Sequence, residues 1–188
     1  MSADGKGAGW KIVRSEILID SPHLRLRSDD IELPDGSLVK DYYVRESRGF
    51  AVVFAIAEDE RVVLVRQYKH GAGGRLLELP AGGIDAGETA LDCAARELTE
   101  ETAYVAGGRG LESIGRFVVD ASNSTARFEL FLARDARRTG KQELERTEDI
   151  EVEFATFKEL RRFVSDGTIE SAPQVAAIYY ALDYLGKI

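Results

Sequence analysis

Arg96, Glu97, Glu100 and Glu101 crowd into one short stretch of the chain. On a helix, side chains three and four positions apart are neighbours, with Cβ atoms roughly 5–6 Å from each other. Glu97 would then stand beside both Glu100 and Glu101, with Glu100 one turn from Arg96. Carboxylates this close repel unless a positive charge neutralises them. Hard divalent cations such as Mg²⁺ take oxygen ligands and are commonly held by one or two carboxylates. The cluster reads as a metal site; a merely solvated acidic helix face is the alternative. Carboxylates turned into the interior would contradict the metal reading.

The elements that must position these acids can be read around them. Leu91, Ala94, Ala95 and Leu98 recur at helical spacing, predicting a helix that buries this stripe while the acids face away from it. Thr89 followed by Asp92 fits a capped helix start. Before it, Pro80, Ala81, Gly82, Gly83 and Gly87 make a glycine-rich loop where backbone can approach a ligand. Gly107, Gly108 and Gly110 are expected to stop the helix.

Gly82, then Glu88 after five residues, then Arg96-Glu97-Leu98-Thr99-Glu100-Glu101 after seven more, resembles the Nudix box of the Nudix hydrolase superfamily. So many fixed positions separate this match from a short glycine pattern. Two positions depart: Ala103 stands where the box has its last glycine, and Tyr104 fills the following apolar slot. If the helix ends at Ala103 in a left-handed conformation, alanine carries a steric cost that glycine avoids. Other pieces are similar to the branch acting on ADP-ribose and nucleotide-sugars: the N-terminal strands, residues 65–69 and 77–82, and the tail 165–185.

The resemblance implies an α/β (α+β) fold, the Nudix α/β/α sandwich around a mixed sheet, plus a small N-terminal antiparallel module. It implies an Mg²⁺-dependent pyrophosphohydrolase (Mn²⁺ substituting), with a nucleotide-sugar as its small-molecule substrate and a homodimer as the assembly. Glu97 and Glu101 are the first-choice metal ligands, Glu100 a third or a shared one, and the carbonyl of Ala81 a fourth. Arg96 would orient Glu97 or Glu100, and Glu88 would pin the loop to the helix. Relatives supply a general base from a late loop, and the acid-rich segment 143–149 stands in that place. Glu148 is the first choice there and Glu145 the second. Arg66 and Lys69 are candidates for phosphate contact or simply solvated strand-end charges. Glu78 is a candidate for a place near the metals or a substrate hydroxyl, with a structural ion pair as the competing view. The loop 119–124 has no proline, unlike the Ser-Pro-Gly-type loop of ADP-ribose-specific relatives, so GDP- and UDP-linked sugars stay open. Hydrolysis of nucleoside triphosphates or dinucleoside polyphosphates, or a non-catalytic nucleotide-binding role, are the alternatives.

The composition is ordinary for a soluble globular protein. The chain has 188 residues, 44% apolar and 31% charged, ordinary for a domain with a proper core. A formal charge of −8 argues against nucleic-acid or anionic-membrane partners. The N-terminal residues 1–9 are polar and glycine-rich with no signal region, so a cytoplasmic protein is expected. One cysteine, Cys93, excludes an intrachain disulfide and is expected to pack in the core. His23 and His70 are too scattered for zinc and are expected at the surface.

Along the chain, residues 12–19, 24–27, 31–33 and 38–45 read as strands of a small antiparallel sheet, with a turn at Pro34-Asp35-Gly36. The expected boundary leaves an N-terminal module of residues 1–46 and a catalytic domain of 47–188. Residues 50–57 and 61–68 form a hairpin, the first strand apolar enough to be covered on both faces. Strands follow at 76–79, 114–119, 128–133 and 150–157, then a short helix over 160–164. A last helix starts at a Ser171 cap with Pro173 in its first turn and buries Val175, Ile178, Tyr179, Leu182 and Leu185. Trp10, Tyr42, Tyr43 and Phe50 could stack a base or belong to core and interface packing.

Overall fold

The computed structural model describes residues 9–188, so the expectation for the first eight residues lies outside it. It divides into two compact units: the chain up to Arg48 together with Val118–Ala126, and Gly49–Phe117 together with Arg127–Ile188.

In the first unit, β1 (Lys11–Asp20), β2 (Arg25–Glu32) and β3 (Leu38–Glu46) form an antiparallel sheet in that order. Segments 24–27 and 31–33, read separately from the sequence, are one strand. Its polar middle, Ser28-Asp29-Asp30, is carried by side-chain pairing: Ser15 Oγ donates to Asp29 at 2.6 Å and Arg27 Nε at 2.8 Å. The loop after residue 118 belongs to this sheet, since Arg45 N–H donates to Asn123 and the Tyr42 hydroxyl to the Ser122 carbonyl. β1 is a sheet edge, exposed along its whole length, Ile12, Val13, Ile17, Leu18 and Ile19 included.

The second unit is built on an eight-stranded mixed sheet. Its strands are β4 (Phe50–Ala57), β5 (Val62–Lys69), β6 (Gly74–Glu78), β7 (Ala81–Gly83), β8 (Tyr104–Val105), β9 (Leu111–Val118), β10 (Arg127–Arg138) and β11 (Ile150–Ala155). The central order is β11-β5-β4-β10-β8, with β4 and β10 parallel and β7 antiparallel to β4. Because side chains alternate along a strand, β4 serves two cores. Val52 and Phe54 join Leu64, Leu79, Leu130, Leu160, Ile178 and Leu182 under α2 (Phe157–Ser165) and α3 (Ala172–Tyr184). Ala51, Val53 and Ala55 join Cys93, Ala94 and Leu98 of α1 (Ala90–Thr102) on the other face. This is the expected α/β/α sandwich, and β4 is covered on both faces as its apolar run predicted.

Three local expectations change. α1 ends at Ala103, in the left-handed region at φ 61°, so the glycines at 107–110 come after the helix has already stopped. Ser171 precedes α3 but makes no side-chain cap, and Pro173 alone marks the start. Tyr179 is 41% exposed; the buried face of α3 instead includes Gln174, whose amide exchanges hydrogen bonds with the backbone of Leu79. A buried glutamine that satisfies its amide in this way escapes a count of apolar residues.

Candidate active site

Thr89 starts α1 as predicted: its hydroxyl accepts the Asp92 N–H at 3.1 Å. The helix is rotated from the expected stripe, however. Leu91 and Ala95 are exposed, and the covered face is Cys93, Ala94, Glu97, Leu98, Glu101 and Thr102. Glu97 and Glu101 are therefore only 8% and 2% exposed, not turned to solvent, while Glu100 is half-buried. The cause lies in β7. A Cβ on Gly82 would fall 1.9 Å from the Glu97 carboxyl carbon, so the missing side chain is the space this carboxylate occupies. Ala81 N–H donates to Glu101 Oε2 at 3.0 Å. Both acids thus leave the apolar core for the glycine-rich backbone beside it. This overturns the expectation that Glu97 and Glu101 face away from the buried side of the helix; their polar partners are Arg96 and the Ala81 amide.

Arg96 organises the rest. Its Nε and Nη2 donate to the two Glu88 oxygens at 2.8 and 3.0 Å, and its Nη1 donates to Glu97 at 2.7 Å and to Glu100 at 3.0 Å. Glu88 also accepts the Asp85 N–H, which ties the loop before the helix to the helix itself. The fork-shaped guanidinium suits this multiple grip. Arg96 holds the Glu88 carboxyl down to about 2 and is itself raised by the acids around it. Burial works the other way on the two covered acids: Glu97 is raised, and Glu101 is pushed up to about 8. Removing a carboxylate from water disfavours its charge until a proton or a cation compensates. Burial likewise pushes the Cys93 thiol up to about 12; its Sγ donates to the carbonyls of Gly82 and Gly83, so it packs as expected.

Among the described residues no three His, Cys, Asp or Glu side chains already surround one point. Arg96 engages Glu97 and Glu100, and the Ala81 amide engages Glu101. The donor chemistry nevertheless fits a hard cation: oxygen ligands only, two of them in a low-dielectric setting that disfavours uncompensated charge.

The outer candidates divide. Lys69 Nζ lies 3.4 Å from Glu78 Oε2, Glu78 is 7% exposed, and the Lys69 charge acts on Glu101, so this pair joins the acidic site. Arg66 is bound instead to Glu153 on the neighbouring strand β11. Glu148 accepts the Glu145 N–H at 2.9 Å, and its charge acts on both Glu97 and Glu101; Glu145 itself is exposed. Phe50 stacks in a row with Phe128 and Phe117, a core arrangement. Trp10 and Tyr42 meet edge to face in the N-terminal sheet, and Tyr43 is exposed. His23 and His70 are exposed. Gln142 and Arg75 carried no signal in the sequence, because each acts through backbone carbonyls or acids distant along the chain.

A mixed α/β sandwich with an Arg- and Glu-bearing helix against a glycine-rich strand is the architecture of a phosphoanhydride hydrolase of the Nudix kind. Residues 46–177 match the NUDIX domain family, and residues 10–44 match the nucleoside diphosphate sugar hydrolase N-terminal domain. The chain belongs to the Nudix hydrolase family. It is 31% identical over 175 residues to an ADP-ribose pyrophosphatase of Mycobacterium tuberculosis, covering 90% of this chain and 81% of the relative. It is 28% identical to the ADP-ribose pyrophosphatase of Bacillus subtilis (90% and 91% covered) and 27% to a methanol dehydrogenase activator of Bacillus methanolicus (94% of each). The fold is that of the crystal structure of an ADP compounds hydrolase, with a TM-score of 0.79 at 21% identity over 95% of this chain and 97% of that one. The protein is an enzyme, a Nudix pyrophosphohydrolase similar to ADP-ribose pyrophosphatases. Among the described residues no helix is long and apolar enough to cross a membrane.

Proposed function

We propose that the chain hydrolyses the diphosphate bond of a nucleoside diphosphate linked to a sugar, ADP-ribose or another nucleotide-sugar, to a nucleoside monophosphate and a sugar phosphate. The observation that carries this is the conjunction of the box acids against β7 with an N-terminal domain of the nucleoside diphosphate sugar hydrolase type. A triphosphate hydrolase has no evident use for that added domain.

Glu97, Glu100, Glu101 and the Ala81 carbonyl would hold Mg²⁺, with Mn²⁺ able to substitute. Bound there, the cation would neutralise the diphosphate oxygens, stabilise charge on the leaving phosphate and acidify the attacking water. Arg96 keeps Glu97 and Glu100 oriented, while Glu88 anchors Arg96 to the loop. Lys69, held by Glu78, supplies a positive charge for a phosphate oxygen. Glu148 takes the proton from the water as it attacks phosphorus and the bridging P–O bond breaks. Arg66, already engaged by Glu153, is the weakest of the proposed substrate contacts. Two copies would associate through the exposed edge strand β1, in a cytoplasmic enzyme.

The test is a substrate panel with Mg²⁺ or Mn²⁺, comparing ADP-ribose and GDP- and UDP-sugars with nucleoside triphosphates. Monophosphate plus sugar phosphate is the expected product pair; release of pyrophosphate from triphosphates alone would overturn the reading. Glu101→Gln keeps an acceptor for the Ala81 amide and so should leave the fold intact while abolishing metal-dependent turnover. Near-normal activity in that variant would refute the metal assignment.

A further inference from the structure

Helices leave their last carbonyls without intrahelical partners. In α1 these belong to the turn that carries Glu100 and Glu101, and those of Glu100, Glu101 and Ala103 are satisfied from one distant segment. Thr139 N–H donates to the Ala103 carbonyl at 2.9 Å and Glu143 N–H to the Glu100 carbonyl at 2.9 Å. The Gln142 side-chain Nε2 donates to the Glu101 carbonyl at 2.6 Å and, with its second proton, to the Ile150 carbonyl at 3.1 Å. Gln142 and Ile150 bracket the acid-rich loop, so a single amide joins both ends of that loop to the end of the box helix. The far end has a second anchor. Arg75 on β6 donates to Asp149 at 2.5 Å, to Glu151 at 3.0 Å and to the Arg66 carbonyl at 3.3 Å. Inside the loop, Glu148 folds back onto the Glu145 amide.

We infer that Gln142 is a positioning residue: its amide clasps both ends of the 143–149 loop to the last turn of α1 and so sets where Glu148 stands relative to Glu97 and Glu101. This rests on the reading of Glu148 as the base. Alanine at 142 removes the hydrogen bonds to Glu101 and Ile150 together, leaving the Glu143 backbone bond and the Arg75 anchor. A displacement near 1 Å is enough to cost about 100-fold in a reaction that depends on alignment.

The experiment is a double-mutant cycle on kcat with a nucleotide-sugar, comparing Gln142→Ala, Glu148→Gln and the double variant, together with amide hydrogen exchange across the loop. Expected are a fall of about tenfold or more in kcat for Gln142→Ala with KM within about threefold, as for a lost alignment, and a double variant no slower than Glu148→Gln alone. A residue that merely caps the helix would instead give multiplying effects. Glu148→Gln impaired while Gln142→Ala turns over normally, or multiplying losses, overturns the clasp alone. Glu148→Gln with undiminished kcat removes the base assignment, and the clasp's catalytic role goes with it. Should Gln142→Ala not fold, exchange on the unaltered protein still decides: slowed exchange of the Gln142 side-chain amide protons, which donate to the Glu101 and Ile150 carbonyls, supports the clasp, and exchange as fast as in a free side-chain amide refutes it.

Discussion

Glu97 and Glu101 show how a glycine can be part of a site without touching a ligand. The Glu97 carboxylate fills the volume that a Cβ on Gly82 would claim. Gly82→Ala should therefore displace Glu97 with little effect on folding, weakening Mg²⁺ affinity or kcat by about 10–100-fold, the usual scale for disturbing a ligand's support. Titration calorimetry with Mg²⁺ and steady-state kinetics would show it; unchanged values of both would mean that Glu97 lies away from the chemistry. Glu88 gives a pH prediction. Its folded value is about 2 against an ordinary 4.5, so it stabilises the fold fully above pH 4.5 and loses that contribution as pH falls towards 2. Thermal midpoints between pH 5 and 2 should fall less steeply in Glu88→Gln than in the unaltered chain, with the variant already less stable at pH 7. Parallel curves would remove Glu88 from the account.

Among the elements, α1 is the one whose end was most open to question. Ala103 adopts the left-handed conformation that its place in the box demands. For a residue with a Cβ this costs about 1–2 kcal/mol. Ala103 is also 1% exposed, so its methyl contributes about 0.8 kcal/mol of burial, and glycine would add about 0.4–1 kcal/mol of unfolded-state entropy. The opposing quantities nearly cancel, which explains how alanine is tolerated here. Ala103→Gly should shift the melting temperature by less than about 2 °C, since 1 kcal/mol moves a domain of this size by about 2–4 °C, and should leave kcat unchanged. A gain of several degrees would show that strain outweighs the buried methyl. α3 teaches the converse: Gln174 is buried because the Leu79 backbone needs it, and Tyr179 is left outside.

For the molecule as a whole, β1 is the open matter. A sheet edge with five exposed aliphatic residues is a template for pairing with another chain. If two copies pair there, light scattering will give twice the 20.7 kDa of one chain, and Ile17→Lys with Ile19→Lys will return it to a monomer. An unaltered chain that scatters as 20.7 kDa would refute the homodimer.

The family, the sandwich and the helix carrying the acids were legible in the linear order of residues, because glycine, glutamate and arginine at fixed intervals and runs of period two or 3.6 are local properties. The capping by Thr89, the burial of Cys93 and the left-handed Ala103 were legible for the same reason. Ala94 and Leu98 face the sheet as their spacing predicted, but the full extent of the buried face of α1 was not legible. The apolar residues pointed to Leu91 and Ala95, whereas packing chose Glu97 and Glu101, since Gly82 and the Ala81 amide make room for charge that hydrophobicity alone would send outward. The pairing of Arg66 with Glu153 and the clasp by Gln142 likewise join residues far apart along the chain. Such partners are set by strand order and helix placement, and only the folded chain brings them within reach.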